Sequence, residues 1–416
     1  MRARVALIIV GPRFKPDLPH WPVPLWQNHF RSRWPPRFVP GESGAVMPGI
    51  ESLTVHHRHM ALVRPFVTAV RSATAIDVIL VEVRDSDGRS GWGEAPTSWR
   101  VTGESRQSVT AAVEGPLTEA ALGAPVDDPA GTSARLARAL VRNSAARMAV
   151  DCALYDLAAQ ASGVPLFRFL GGEHGNVRTD MTLSAGVQGE DDDALLATAV
   201  QHRDAGFGTL KVKVGAGGDD VSVMRRVRAE VGADVHLRVD ANQAWSAEHA
   251  VSVISAWEDA RLGIEMVEQP VAMDDLDALE FVTRNVQTPI LADEAVWTTR
   301  DLTEVLRRRA ADMVNVKLAK TGGLREGLRM AEVARQNGVK LIIGCMMESQ
   351  VGISAAASLA CALESTAVAT PGTAHDLDAG LWLKGSPVTG GAAYERDVVR
   401  LPDAAGLGIL ELAADG

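Results

Sequence analysis

Three kinds of feature are scarce in this 416-residue chain, and each scarcity removes a class of function. Long apolar runs are the first. The stretch Val5 to Val10 is too short for a bilayer, which needs about 20 residues, and no small-residue cleavage site precedes the basic, proline-rich part after it. Neither a membrane span nor a signal peptide is expected. Cysteine is the second, with only Cys152, Cys345 and Cys361, an odd number at spacings that fit no disulfide framework or zinc knuckle. Buried thiols in a reducing cytoplasm are expected. Positive charge is the third: 42 basic against 52 acidic residues leave a net charge of -10, which offers phosphates no attraction. No nucleic-acid partner is expected, and a small-molecule ligand is the better starting point.

Apolar residues make up 46% of the chain, enough to bury a large core in two domains or in one barrel with an appendage. The first 46 residues stand apart, rich in Pro, Arg and Trp and without periodicity after Val10. Residues 1–50 are therefore expected to be a disordered extension, with an artefact of start-site choice as the alternative, since Met47 directly precedes the first patterned segment. After it, IDVILVEVRDSDGRSGWGEAP predicts two antiparallel strands joined at Asp85-Ser86-Asp87-Gly88. AARMAVDCALYDLAAQASG has helical spacing and a stop at Gly163 and Pro165. Residues 51–175 are therefore expected to form a small α+β domain.

From there the chain alternates short apolar strands with helical patterns. TLSAG (182–186), TLKVKVG (209–215), VHLRVDAN (235–242), IEMVEQP (264–270), PILADE (289–294), DMVNVKLA (312–319), VKLIIGCMME (339–348) and the segment entering HDLDAG (375–380) give eight strands. Eight βα units predict a parallel (β/α) barrel over 176–380. A doubly wound open sheet is the alternative, but no Gly-rich dinucleotide fingerprint follows an early strand.

Polar residues recur inside those strands at a telling interval. Lys213, Asp240, Glu268, Asp293 and Lys317 lie 27, 28, 25 and 24 positions apart, about one βα unit each, near the C-terminal ends of their strands. That end of a barrel carries the active site. Three acids converging in one cavity resist ionisation unless a divalent cation neutralises them, and hard oxygen donors without His or Cys favour Mg2+. The bland alternative is that each acid caps a helix or pairs with a local arginine. A buried lysine beside a metal is expected to have its pKa lowered, so Lys213 and Lys317, on the second and sixth strands, would exchange protons with opposite faces of a carbon acid. Lys211 alternates in phase with Lys213 and is read as its support, or as a merely structural lysine.

KVKVG, RVDANQAW, MVEQP, LADEAV and VNVKLAKTGG, in this order and spacing, resemble the muconate-lactonising subgroup of the enolase superfamily over residues 52–413. The resemblance implies a modified (β/α) barrel with an N-terminal α+β capping domain, to which segment 381–416 returns. It implies Asp240, Glu268 and Asp293 as Mg2+ ligands and Lys213 and Lys317 as the acid/base pair. The subgroup hosts several reactions, so fold and bases do not settle the substrate. TAHDLDAGLWL is similar to the Asp-x-Asp motif of dipeptide epimerases, in which the carboxylates hold the substrate's α-ammonium; here they are Asp376 and Asp378, read as two residues on one face of the eighth strand. A solvent-exposed turn is the alternative. PFVTAVRSATA (65–75) and GWGEAPTSWRVTGES (91–105) are similar to capping loops, with Arg71 placed to meet a substrate carboxylate. Thr182 and Met346 complete the expected substrate-binding set, Glu348 matches a family glutamate without an assigned role, and Trp99 and Trp382 are candidates to reshape the pocket. The expected activity is Mg2+-dependent epimerisation of a dipeptide at its C-terminal α-carbon by a homo-oligomer. N-acylamino acid racemisation, cycloisomerisation or dehydration would use the same ligands, a Schiff-base aldolase would need no metal, and a non-catalytic binding barrel would need none of the five residues.

Overall fold

The computed structural model describes residues 48–67, 72–184 and 193–413. Residues 1–47 of the expected extension, Arg71 and the end of TLSAG lie outside the described residues, and Ile50, the last residue of that extension, already opens a strand. The first layer is an antiparallel sheet of β1 (Ile50–Val67), β2 (Ser72–Asp85) and β3 (Ser90–Pro96) in that order. The β2–β3 turn forms where the sequence predicts it: Gly88 takes φ +82° and its N–H donates to Asp85 O at 3.0 Å, while Asp85 Oδ1 accepts from the Asp87 and Arg89 N–H groups. β1 is a strand that the sequence reading leaves unassigned. Its edge position lets polar residues line it, among them His56, whose Nε2 lies 3.2 Å from Glu82 Oε2, and His59, whose Nδ1 lies 3.1 Å from Asp77 Oδ1.

Helix α1 (Ser144–Ala161) packs under this sheet and is buried nearly all round, which its alanine-rich sequence allows. Ala145, Ala149, Ala153 and Leu157 share one core with Ile79, Val81 and Val83 of β2. Met148, Cys152 and Tyr155 join Val78 and Leu80 in the core of the barrel. The approach is close because Gly93 of β3 has no side chain: a Cβ there would lie 1.9 Å from Ala149 O.

Seven parallel strands make the barrel wall: β4 (Met181–Leu183), β5 (Thr209–Lys213), β6 (His236–Asp240), β7 (Ile264–Glu268), β8 (Ile290–Ala292), β9 (Met313–Lys317) and β10 (Lys340–Gly344), paired in sequence order. The expected eighth strand is reduced to two parallel bridges, Gly344 to Asp376 and Thr179 to His375. Those bridges still close the ring, since Asp376 N donates to Ile343 O at 3.0 Å and Asp180 N to His375 O at 2.8 Å. A short 3-10 turn, Ala379–Trp382, follows in place of a helix.

Seven helices cover the wall: α2 (Asp193–Asp204), α3 (Asp220–Val231), α4 (Ala247–Asp259), α5 (Leu276–Asn285), α6 (Thr299–Arg308), α7 (Leu324–Asn337) and α8 (Gln350–Ser365). Local caps explain where several start. Asp219, Ser246, Asp275 and Thr298 each accept a backbone N–H three residues on. The start of α7 is different, because its cap residue is Gly323 and the acceptor comes from α1: Asp151 Oδ1 receives Leu324 N at 2.5 Å. Glu94 of β3 likewise receives Ser349 N, the Ser349 hydroxyl and Gly352 N at the start of α8. The N-terminal unit thus supplies acceptors to the barrel's own helices. The C-terminal segment runs back to it, with Leu62 bridged to Leu383 and Lys384 N donating to Ala61 O at 3.0 Å.

Candidate active site

Register sets the site. Lys213 on β5 is level with Asp240 on β6, and Asp240 with Glu268 on β7. Asp293 stands one residue beyond β8, and Lys317 ends β9. With the HDLD segment as the eighth position of the ring, β5 and β9 are its second and sixth members, so Lys213 and Lys317 enter from opposite walls. Gly344 at the end of β10 makes room for one of them, since a Cβ there would sit 2.8 Å from Lys317 Cε.

All five residues meet in one buried ionic cluster. Lys213 Nζ lies 2.6 Å from Asp240 Oδ2. Lys211 Nζ is shared by Glu268 Oε2 at 2.7 Å, Asp376 Oδ2 at 2.9 Å and Asp240 Oδ2 at 3.2 Å. Lys317 Nζ lies 2.9 Å from Asp293 Oδ2, 3.4 Å from Asp376 Oδ2 and 3.8 Å from Glu268 Oε1. Each of these interior ammoniums has carboxylate partners, which offset the cost of burying its charge.

Protonation follows the same balance. Burial alone would raise the Asp240 carboxyl, but Lys213 and Lys211 hold it below the ordinary value. Burial is outweighed in the same way at Asp293 by Lys317 and Lys320, and at Asp376 by Lys211 and Lys317, so both stay well below the usual range. Glu268 goes the other way, pushed up to about 7 by burial and by Asp240. Lys211 and Lys317 respond to the same carboxylates. Burial lowers them, yet the surrounding carboxylates, Asp376 first for Lys211 and Asp293 first for Lys317, hold both well above the ordinary value.

Asp376 and Asp378 do come together, though not as neighbours on an extended strand. Asp378 has φ -83° and ψ -2° at the start of the 3-10 turn. Its Oδ2 accepts Thr182 N at 2.7 Å and the Trp382 indole N–H at 3.0 Å. Asp180, Asp376 and Asp378 offer oxygens that all lie within 4.8 Å of one another. These are buried carboxylates, not an exposed turn. Of the remaining candidates, Thr182 contributes its backbone N–H, and half-buried Met346 donates its N–H to Glu348 Oε1 at 2.8 Å. Glu348 is pushed up to about 8 by burial and by Glu94, and its Oε2 has no hydrogen-bond partner. Trp99 is 76% exposed, whereas Trp382 is 1% exposed beside Asp378.

Four contributors escape the sequence reading. Lys320 Nζ lies 2.6 Å from Asp293 Oδ1 and donates to the carbonyls of Asp293 and Asn315. Asn315 Nδ2 donates to Glu268 Oε1 at 2.9 Å and Asp376 Oδ2 at 3.2 Å. Asp180 pairs with Arg238 at 3.1 Å. Arg64 reaches the rim from β1, its guanidinium carbon 4.5 Å above the Trp382 ring. Asn315 and Lys320 were legible in principle, since both lie within or directly beside the β9 motif; Arg64 carries no sequence signal beyond its charge.

Residues 194–412 match the Enolase C-terminal domain-like family, more than half of the chain, and residues 50–171 match the N-terminal domain of mandelate racemase / muconate lactonizing enzyme. The chain belongs to the enolase superfamily. It is 36% identical over 361 residues to an L-Ala-D/L-Glu epimerase of Clostridium acetobutylicum, an alignment covering 86% of this chain and 98% of that one. Among solved structures it is similar to the substrate-liganded L-Ala-D/L-Glu epimerase of Bacillus subtilis, at 38% identity and TM-score 0.84, covering 88% of this chain and all of that one (100%). It is also similar to a dipeptide epimerase of Enterococcus faecalis complexed with Mg and L-Leu-L-Tyr, at 35% identity and TM-score 0.81, covering 87% and 99% of the two chains. A superfamily barrel with two opposed lysines in a carboxylate cluster has the parts for moving a proton between two faces of one carbon.

Proposed function

We propose that this protein is an isomerase that epimerises a dipeptide at the α-carbon of its C-terminal residue. The observation that carries the reading is the entry of Lys213 and Lys317 into one buried carboxylate cluster from opposite walls, with Asp376 and Asp378 alongside. Its relatives with dipeptide-epimerase activity support it.

Asp240, Glu268 and Asp293 are the residues that would hold Mg2+. Their chemistry fits: all three are hard oxygen donors at consecutive strand ends, and lysine ammoniums already bridge them in pairs, Lys211 between Asp240 and Glu268 and Lys317 between Glu268 and Asp293. When bound, the ion supplies positive charge that favours loss of the proton next to a substrate carboxylate. Lys320 keeps Asp293 in place through its Oδ1 and carbonyl.

The chain's own groups do the rest. One lysine takes the α-proton from one face and the other returns a proton to the opposite face, which inverts the centre. Lys211 stays among Asp240, Glu268 and Asp376 and shares Asp240 Oδ2 with Lys213. Asp376 and Asp378 receive the dipeptide's α-ammonium, a role that suits two buried carboxylates whose donors are shared or neutral. Arg71 is assigned to a substrate carboxylate by family resemblance.

The test is α-proton exchange in deuterated water, followed by NMR on both epimers. Lys213→Ala should stop exchange from one epimer and Lys317→Ala from the other, and EDTA should stop both. Exchange that survives in either variant for both epimers rejects the two-lysine assignment. A borohydride-trapped lysine adduct with activity indifferent to EDTA would point to the aldolase chemistry instead.

A further inference from the structure

Among the described residues Arg64 has no carboxylate as an ion-pair partner. Its guanidinium lies over Trp382 at 4.5 Å, and Trp382 is fixed from two sides, by Phe66 edge-on at 4.9 Å and by its indole N–H bond to Asp378 at 3.0 Å. Arg64 Nη2 donates to His202 Nε2 at 2.7 Å. That nitrogen must then be unprotonated, in keeping with a His202 pushed down to about 4 by burial and by Arg64 itself. Arg64 Nε is buried without a hydrogen-bond partner, and among the described residues no carboxylate forms an ion pair with Arg64. Asp378 acts on it only through space, and burial outweighs that attraction.

A guanidinium can make five hydrogen bonds in a planar fork that fits a carboxylate. A half-buried one that makes so few among the described residues is poised for an anion from outside. We propose that Arg64, seated on Trp382, is an anion subsite that receives the side-chain carboxylate of an acidic amino-terminal residue, so that aspartyl or glutamyl dipeptides are the favoured substrates. This rests on the reading that Asp376 and Asp378 hold the substrate's α-ammonium. Position argues for the amino-terminal residue: Trp382 touches both Arg64 and Asp378, and the carboxyl carbon of an aspartyl side chain is only three bonds from its amino nitrogen. Charge argues for it as well. An acidic side chain brought beside Asp180, Asp376 and Asp378 would be repelled there unless a cation faced it, and Arg64, over the Trp382 ring that bonds Asp378, is a cation so placed.

The experiment compares kcat/KM for deuterium exchange on L-Asp-, L-Glu-, L-Ala- and L-Lys-dipeptides that share one C-terminal residue. The native protein should favour the acidic members over the alanyl one by about tenfold or more, the scale of one charge-assisted contact. Arg64→Met should bring that ratio close to one, and Arg64→Glu should turn it in favour of the lysyl dipeptide. Circular dichroism confirms that each variant is folded, and if Arg64→Glu fails that check the Arg64→Met ratio decides. Exchange on dipeptides with no acidic preference, or a preference unmoved in the variants, overturns the subsite while leaving the epimerase reading intact. Absence of exchange on every dipeptide overturns both.

Discussion

Asp378→Asn gives the sharpest test of how the substrate is held. Among the described residues, this carboxylate accepts two bonds at one oxygen, Oδ2, from Thr182 N at 2.7 Å and from the Trp382 indole at 3.0 Å. An asparagine can offer its carbonyl oxygen to the same two donors, so the 3-10 turn and the Trp382 position should survive. What changes is the other end of the group, where an NH2 replaces a negative oxygen and faces the substrate's ammonium. Loss of one charged hydrogen bond costs about 1.5–3 kcal/mol, which is roughly a ten- to hundredfold fall in kcat/KM. Among the described residues Asp378 forms no ion pair with Lys213 or Lys317, so the proton-transfer machinery is left in place, whereas Asp376 contacts Lys211 and Lys317 and would confound the two effects. The assay is NMR exchange on L,L-dipeptides beside N-succinylated amino acids, which have no ammonium. The dipeptide rates should fall and any rate on the acylated set should not. Equal losses on both sets would show that Asp378 supports the fold of the site and not the ammonium, and an unchanged dipeptide rate would remove it from binding altogether.

Two further outcomes test the scaffold. Asp156 is buried, accepts Trp92 N at 2.8 Å and Leu407 N at 2.7 Å, and is pushed by burial up to about 6. A raised carboxyl binds its proton more tightly folded than unfolded, so its contribution is present below about pH 4 and is lost as pH rises through about 6, a span of about 3 kcal/mol; Asp156→Asn should flatten that part of the urea-unfolding profile, and an unchanged slope would refute the assignment. Gly93→Ala puts a Cβ 1.9 Å from the Ala149 carbonyl, so α1 must shift away from β3. A loss of about 3 kcal/mol or more is expected in thermal unfolding, and a Tm within about 1 °C of the native value would show that the helix yields freely.

Much of the site was written in the strands themselves. A residue in a barrel strand has only two directions to point, so the spacing of Lys213, Asp240, Glu268 and Lys317 translates directly into a ring. Three things did not translate. The eighth strand is too short to pair beyond Thr179 and Gly344, so a pattern argument extended it past Asp376 into what is a turn. The lysine protonation depended on distances among five carboxylates, which spacing does not give. Arg64 owes its place to the antiparallel run of β1 beside Leu383, a tertiary contact with no local trace in the sequence.

The acceptors that Asp151 and Glu94 lend to α7 and α8 have a consequence for how the molecule can come apart. A barrel separated from its N-terminal unit would expose Leu324 N, Ser349 N and Gly352 N with their acceptors gone, along with the apolar faces that α1 covers. Two pieces of structure that read as separate folds in the sequence are therefore one cooperative unit in unfolding. Hydrogen exchange at the first turns of α7 and α8 should open together with α1, at the cost of the whole molecule and not of a helix end.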